Sequence, residues 1–228
     1  MRPLLCAPLP SEGESPMDSS GEIRYENGIP RFISCMIKIA QTQLLAMRAR
    51  DEEVRAELAA DGSLFQGYHR RMEDVHRANA RELRSIIQEH GWPDDALVGP
   101  EGAEAAWLIA QHSIGEPDFM RRCRALLDEA SSLGRVPRWQ FAYIDDRIRV
   151  FEGKPQRFGT QIDLRPEGPQ VHALEDASQV DAWRKEAGLP PIAVDLVRGQ
   201  ADPLPTPVEH EARRAAELLW RQKVGWVT

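Results

Sequence analysis

A chain of 228 residues, 42% hydrophobic and 29% charged, carries enough apolar material for one hydrophobic core and is not a disordered composition. Lys plus Arg number 29 against 36 Asp plus Glu, a formal charge of −7, which disfavours a nucleic-acid or anionic-membrane partner held by general electrostatics. Cys6, Cys35 and Cys123 form no CxxC or zinc-type spacing and no apolar run reaches membrane-spanning length, so a cytoplasmic protein without disulfides or structural zinc is expected.

Residues 1 to 21, rich in Pro, Ser, Gly and acid, read as a disordered leader in which Met17 offers a second translation start. From Pro30, suited to a first helical turn, Ile33, Met36, Ile37, Ala40, Leu44, Met47, Val54 and Leu58 recur at helical spacing, so a long amphipathic helix should run to about Asp61. Ser63 is a good N-cap for a second helix, whose stripe is Leu64, Tyr68, Met72, Val75, Asn79, Leu83 and Ile86; Gly91-Trp92-Pro93 stops it. A third helix is expected from about Glu101 to His112, with Ala105, Leu108, Ile109 and His112 on one face. A fourth starts at Pro117 and carries Phe119, Cys123, Leu126, Leu127, Ala130 and Leu133. A short helix follows from Pro137 to about Asp145.

The period then changes. Ile148, Val150, Phe158, Thr160 and Ile162 alternate about Glu152-Gly153-Lys154-Pro155, which predicts a hairpin over about 147 to 163, with 170 to 174 as a third strand. A helix over 180 to 187, a proline-rich spacer and a C-terminal helix with Val208, Ala212, Ala215 and Leu219 complete the chain. The expected fold is mainly α, of α+β type. One helical domain over 22 to 198 carries a small antiparallel hairpin or three-stranded sheet, and 199 to 228 form the spacer and last helix.

Several polar residues stand where the pattern calls for apolar ones, and burying them costs a few kcal/mol unless each finds a partner. His112 shares a face with Leu108 and Ile109 and is the candidate acid/base; the plain alternative is a core histidine satisfied by a backbone carbonyl. Asp146 is a candidate to orient that imidazole and Arg147 to clamp a carboxylate or phosphate, unless the pair is a salt bridge capping a helix. Gly159 before Thr160 and Gln161 marks either a close backbone approach beside a substrate or a local bulge. Asn79 either ties the second helix to a neighbour or reaches a ligand. His69, His76 and His90 show no i, i+4 metal pair, and HExxH, GxGxxG, Walker and GxSxG patterns are absent, so neither metal nor other cofactor is expected.

In order, the chain contains Gly91-Trp92-Pro93, Ala105-Ala106-Trp107-Leu108 with Gln111-His112, Asp146-Arg147, and Gly159-Thr160-Gln161. This series resembles a bacterial domain-of-unknown-function family with GWP, AAWL-x-x-QH, DR and GTQ in the same order, over roughly residues 45 to 198. The family has no established activity. The resemblance therefore implies only which positions match: His112, Asp146, Arg147 and Gln161, with Asn79. Members usually place an acidic residue soon after the histidine, whereas here Ser113-Ile114-Gly115-Glu116 intervenes before Asp118.

Two functions follow as expectations. The first is a cofactor-independent hydrolase or other proton-transfer enzyme acting on a small anionic or peptide-like substrate, with His112 and Asp146 catalytic and Arg147, Thr160, Gln161 and Asn79 binding. It requires His112, Asp146 and Gln161 to line one water-accessible cavity. The second is a helical protein-interaction module, which exposed apolar residues on the C-terminal helix would favour. The sequence does not fix an oligomeric state.

Overall fold

The computed structural model describes residues 25–26, 29–65, 67–192 and 204–228, with side chains from Met36 onward. The leader at 1 to 21 and the spacer at 199 to 203 lie outside the described residues. Seven helices appear among them: α1 (Arg31–Ala60), α2 (Arg70–His90), α3 (Asp95–His112), α4 (Pro117–Ser132), α5 (Arg138–Phe151), α6 (Val180–Glu186) and α7 (Pro207–Val224). Two separate antiparallel pairs accompany them, β1 (Tyr25–Glu26) with β2 (Ile29–Pro30), and β3 (Ile162–Arg165) with β4 (Gly168–Val171). The protein is mainly α.

Helical spacing explains the core. Ala40, Leu44, Met47 and Leu58 of α1 are buried at the expected positions, and α1 packs against α2 and α3, while α4 packs against α5. Along α4, Phe119, Cys123 and Leu127 repeat every four residues and are buried, but Leu133 lies past the last turn and is exposed. Asp94 caps α3 by accepting from the Leu97 N–H. That helix starts six residues before Glu101 because its first turn is broken and restarted: Gly99 takes a φ of 69° and Pro100 reopens the helix. Ser63 starts only a single 3-10 turn, Ser63–Phe65, and α2 begins at Arg70, with the His69 ring accepting from the Arg71 N–H.

The hairpin expected over 147 to 163 is not there. Residues 147 to 151 continue α5, because Phe141, Ile144 and Ile148 already form a buried helical row and Arg149 pairs with Asp145 one turn back, at 3.1 Å. Ile148 and Val150 fit a two-residue period locally, yet the row that begins at Phe141 decides. The hairpin lies further on, with Ile162 opposite Val171 and Arg165 opposite Gly168. Among the described residues it has two strands, and the second overlaps the start of the run 170 to 174 expected as a third.

Between α5 and β3, residues 154 to 161 form a loop fastened from within. Gln156 donates to the carbonyls of Gln161 and His172 and accepts from the Gln161 N–H, all at 2.9–3.1 Å. Gly159 in this loop has a φ of 66°, and a Cβ there would stand 2.4 Å from Ile192 Cδ1. Both a left-handed backbone and a close approach require glycine there, which gives the Gly-Thr-Gln sequence a structural reason. No described helix is long and apolar enough to cross a membrane.

Candidate functional site

Three helices each deliver one buried or half-buried titratable side chain to a common point. Asp51 of α1 occupies the core-facing row between Met47 and Leu58 and is 1% exposed. His76 of α2 falls in the row of Met72, Asn79 and Leu83. His112 ends α3 on the face of Ile109. The His112 Nδ1 lies 2.9 Å from Asp51 Oδ2, the His76 Nε2 lies 3.1 Å from the same oxygen, and the two rings are 5.0 Å apart at 37°. The Tyr68 hydroxyl meets His76 Nδ1 at 2.8 Å.

Burial raises the affinity of Asp51 for a proton, but the His112 and His76 imidazoles beside its Oδ2 outweigh it and hold the carboxyl well below the usual carboxylate range. Burial likewise dominates at His112 and pulls its pKa down against the attraction of Asp51. The stable arrangement is thus an ionised carboxylate with a neutral imidazole, whose Nδ1–H donates to Asp51. Tyr68 stays a phenol, since burial pushes its pKa up.

This cluster forms one wall of a cavity of about 630 Å3, within the range that suits a small-molecule ligand. Leu64, Met72 and Leu108 give it apolar walls, and Arg55 and Arg147 bring positive charge. Arg147 reaches the cavity from α5, where Nη1 donates to the Gln111 carbonyl at 2.9 Å and Nε to Gln161 Oε1 at 3.1 Å. Among the described residues no carboxylate neutralises it. Burial, and then repulsion from Arg55, push its pKa down to about 10, the mark of a cation whose surroundings lack an anion.

The remaining expected site residues stand behind the cavity and do not line it. Asp146 does not orient His112; that place is taken by Asp51. Asp146 is fully buried, and its carboxylate accepts from the backbone N–H groups of Arg157 (2.7 Å), Phe158 (3.0 Å) and Thr160 (2.9 Å) and from Thr160 Oγ1 (3.0 Å). Burial pushes its pKa up against these four donors, each of which favours the charge. Gln161 in turn donates to Thr160 Oγ1 and holds Arg147, so Asp146, Thr160 and Gln161 are a relay from loop to guanidinium. Asn79 ties α2 to α1 through the Met47 carbonyl at 3.0 Å.

A family model described as a family of unknown function, DUF6624, matches residues 39–215, more than three-quarters of the chain. The chain belongs to DUF6624. Neither a curated protein nor a solved structure matches it. Within this DUF6624 chain the required shared cavity holds only one of its three expected members, His112, together with Arg147. Asp51 is not singled out by the sequence and His76 is set aside for lack of an i, i+4 partner, although both interrupt apolar rows as Asn79 does. The expectation of no metal rests on local spacing, whereas Asp51, His76 and His112 come from three helices and bring ligand atoms within 4.8 Å of one another.

A second, larger cleft of about 1010 Å3 lies between the β3–β4 hairpin and α7. Its central carboxylate, Asp163, is already paired with Arg165 at 2.8 Å and His210 at 3.1 Å, so it joins elements instead of presenting open chemistry.

Proposed function

We propose that the protein is an enzyme of hydrolytic or related proton-transfer type, acting in the 630 Å3 cavity on a small substrate that carries an anionic group. The observation that carries this reading is the convergence of a carboxylate-bound imidazole and an un-neutralised guanidinium on one small-molecule-sized cavity. Asp51 fixes the His112 ring through Nδ1 and leaves Nε2 as its lone pair, the arrangement of an oriented general base. In a hydrolysis the cluster accepts a proton from water, the water oxygen bonds to the electrophilic carbon or phosphorus, and the proton passes to the departing group. Arg147, preset by Gln161 and Gln111, holds the anion. A cytoplasmic location accords with the buried free thiol of Cys123.

The test is turnover of a panel of carboxylate- and phosphate-bearing esters and amides. With a substrate found, His112→Ala is expected to lower kcat by about 100-fold or more, with a moderate fall in melting temperature because the buried Asp51 loses its donor. Arg147→Lys is expected to raise KM more than it lowers kcat, since lysine keeps charge but loses the fork. A His112→Ala protein that melts far lower yet turns over normally would make the histidine structural and end this reading.

A second reading, a protein-interaction module, is favoured by Val208 and Leu219 on α7, which are 78% and 67% exposed. It places function on α7 and leaves His112→Ala without consequence, so the same variant separates the two.

A further inference from the structure

Two buried polar atoms at the cluster have no hydrogen-bond partner: Asp51 Oδ1 and His76 Nε2. Their neighbours show why. The His76 Nε2 stands 3.1 Å from Asp51 Oδ2, but off the line a hydrogen bond needs, and the Asp51 Oδ1 meets no donor at all. If His76 gives its Nδ1–H to the Tyr68 oxygen, its Nε2 lone pair faces a carboxylate across 3.1 Å, which repels unless a positive centre lies between. Turning the tautomer round offers no remedy, because the Nε2–H then still points past the oxygen. Orphaned buried polar groups are rare in folded proteins, and an unpartnered ring nitrogen beside a carboxylate with an unpartnered oxygen calls for a shared partner.

We propose that Asp51, His76 and His112 bind a divalent transition-metal ion, zinc foremost, with the ion's open side toward the 630 Å3 cavity. Two imidazole nitrogens and one carboxylate oxygen form the mixed N/O donor set that borderline cations favour and that magnesium and calcium do not. The spacing fits. Ligand atoms on a tetrahedral ion with bonds of about 2.0–2.1 Å stand roughly 3.3 Å apart; here both nitrogens lie 2.9–3.1 Å from the shared oxygen, and all three ligand atoms lie within 4.8 Å of one another. Three protein ligands leave a fourth position for water or a substrate oxygen, the pattern of a catalytic and not a structural ion.

Tyr68 completes the design as the outer partner of His76. Its oxygen accepts the Nδ1–H, which turns the Nε2 lone pair toward the ion, and its own ring is backed edge-on by Trp220 at 5.1 Å. His112 would coordinate through Nδ1, so the ion replaces the Nδ1–H bond to Asp51 and the ring carries its proton on Nε2, away from the ion. The inference rests on the cavity being the active site only for its chemical use, and it moves the activation of water from the imidazole to the ion. Binding itself stands apart from turnover.

The experiment is cobalt(II) and zinc(II) uptake by the full-length protein after chelator treatment and desalting. Uptake of about one equivalent per chain is expected, with visible cobalt bands of a four- or five-coordinate site and a rise in melting temperature with zinc. His76→Gln and Asp51→Asn should each weaken uptake by more than about tenfold and abolish the cobalt spectrum, while Arg147→Lys leaves both intact. Tyr68→Phe should retain the ion with lower affinity, which keeps the test valid if Asp51→Asn fails to fold. No saturable uptake by the wild type, or uptake unchanged in His76→Gln, overturns the proposal. Loss of turnover in His112→Ala without metal uptake would leave the active-site reading standing and sink the ion; uptake without any turnover would do the reverse.

Discussion

Asp146 shows how a carboxylate in a motif can serve a site without touching it. Its two oxygens accept three backbone N–H groups and one hydroxyl, so the loop from Lys154 to Gln161 is folded around a negative charge. Asparagine has nearly the same shape, but it gives up one acceptor and turns an NH2 group toward N–H donors. Asp146→Asn is therefore expected to cost about 2–4 kcal/mol, the range for a buried charged group stripped of its partners. Because Gln161 then loses its anchor, the hold on Arg147 should loosen too. Urea denaturation checks the first part: a variant within about 0.5 kcal/mol of the wild type would show that the loop does not depend on the charge. The same residue marks a limit of the sequence. That a polar group at 146 needs partners was legible, but that the partners are backbone N–H groups eleven to fourteen residues ahead was not, since backbone donors leave no trace in a pattern of side chains.

At the scale of elements, helix positions follow the 3.6-residue apolar rows in α1, α4 and the body of α2, although Leu64 and Tyr68 of the second row lie before α2 begins. Asp51 draws no attention and His76 is set aside for want of a local metal pair, for the same reason that these rows are easy to follow. Asp51 stands between Met47 and Leu58 and His76 beside Met72 and Asn79, so each is the polar break in a stripe, the signal that did single out Asn79 and His112. Their meeting was beyond reach, because one comes from each of three helices and no local spacing joins them. The misplaced hairpin has a different cause, a short β-branched run that packing kept helical. Where the hairpin does form, it is joined to α7 by electrostatics: Asp163 of β3 accepts from Arg165 and from His210 of α7. Burial acts to raise the Asp163 pKa, but Arg165 and then His210 prevail and hold it below its ordinary value. A carboxyl depressed in the folded state stabilises that state above its unfolded pKa, near 3.9, and the contribution fades as pH falls through the folded value. Acid titration followed by tryptophan emission should thus show α7 loosening as pH falls below about 4, and Asp163→Asn should flatten that step. An identical acid transition in the variant would remove this pair from the account.

For the molecule as a whole, the question is how α7, a helix with no fully buried residue, comes to belong to the domain at all. Its capping box, Thr206 with Glu209, makes it a good helix locally but gives it no reason to dock. Two aromatic residues supply the reason. Trp220 packs edge-on against Tyr68 and Phe151, at 5.1 and 5.8 Å, and Trp226, just past Gly225, is 4% exposed and donates its indole N–H to the Ile114 carbonyl at 2.7 Å. The second contact reaches the residue two positions after His112, so the chain terminus braces the end of α3 that carries the site. Trp226→Ala removes a large buried ring and an N–H bond together, and the expected cost is about 3–5 kcal/mol. For a protein of this size that corresponds to a fall in melting temperature of roughly 6–20 °C. Trp220→Ala, at a half-buried position, should cost about 1–2 kcal/mol by its smaller buried area. It should nevertheless disturb the site more, since it withdraws the support of Tyr68 and with it the orientation of His76. Differential scanning calorimetry of both variants, set beside zinc uptake, reads the two effects separately. Larger destabilisation in Trp220→Ala than in Trp226→Ala, or zinc affinity untouched in Trp220→Ala, would mean that α7 is anchored and coupled to the site by something other than these two rings.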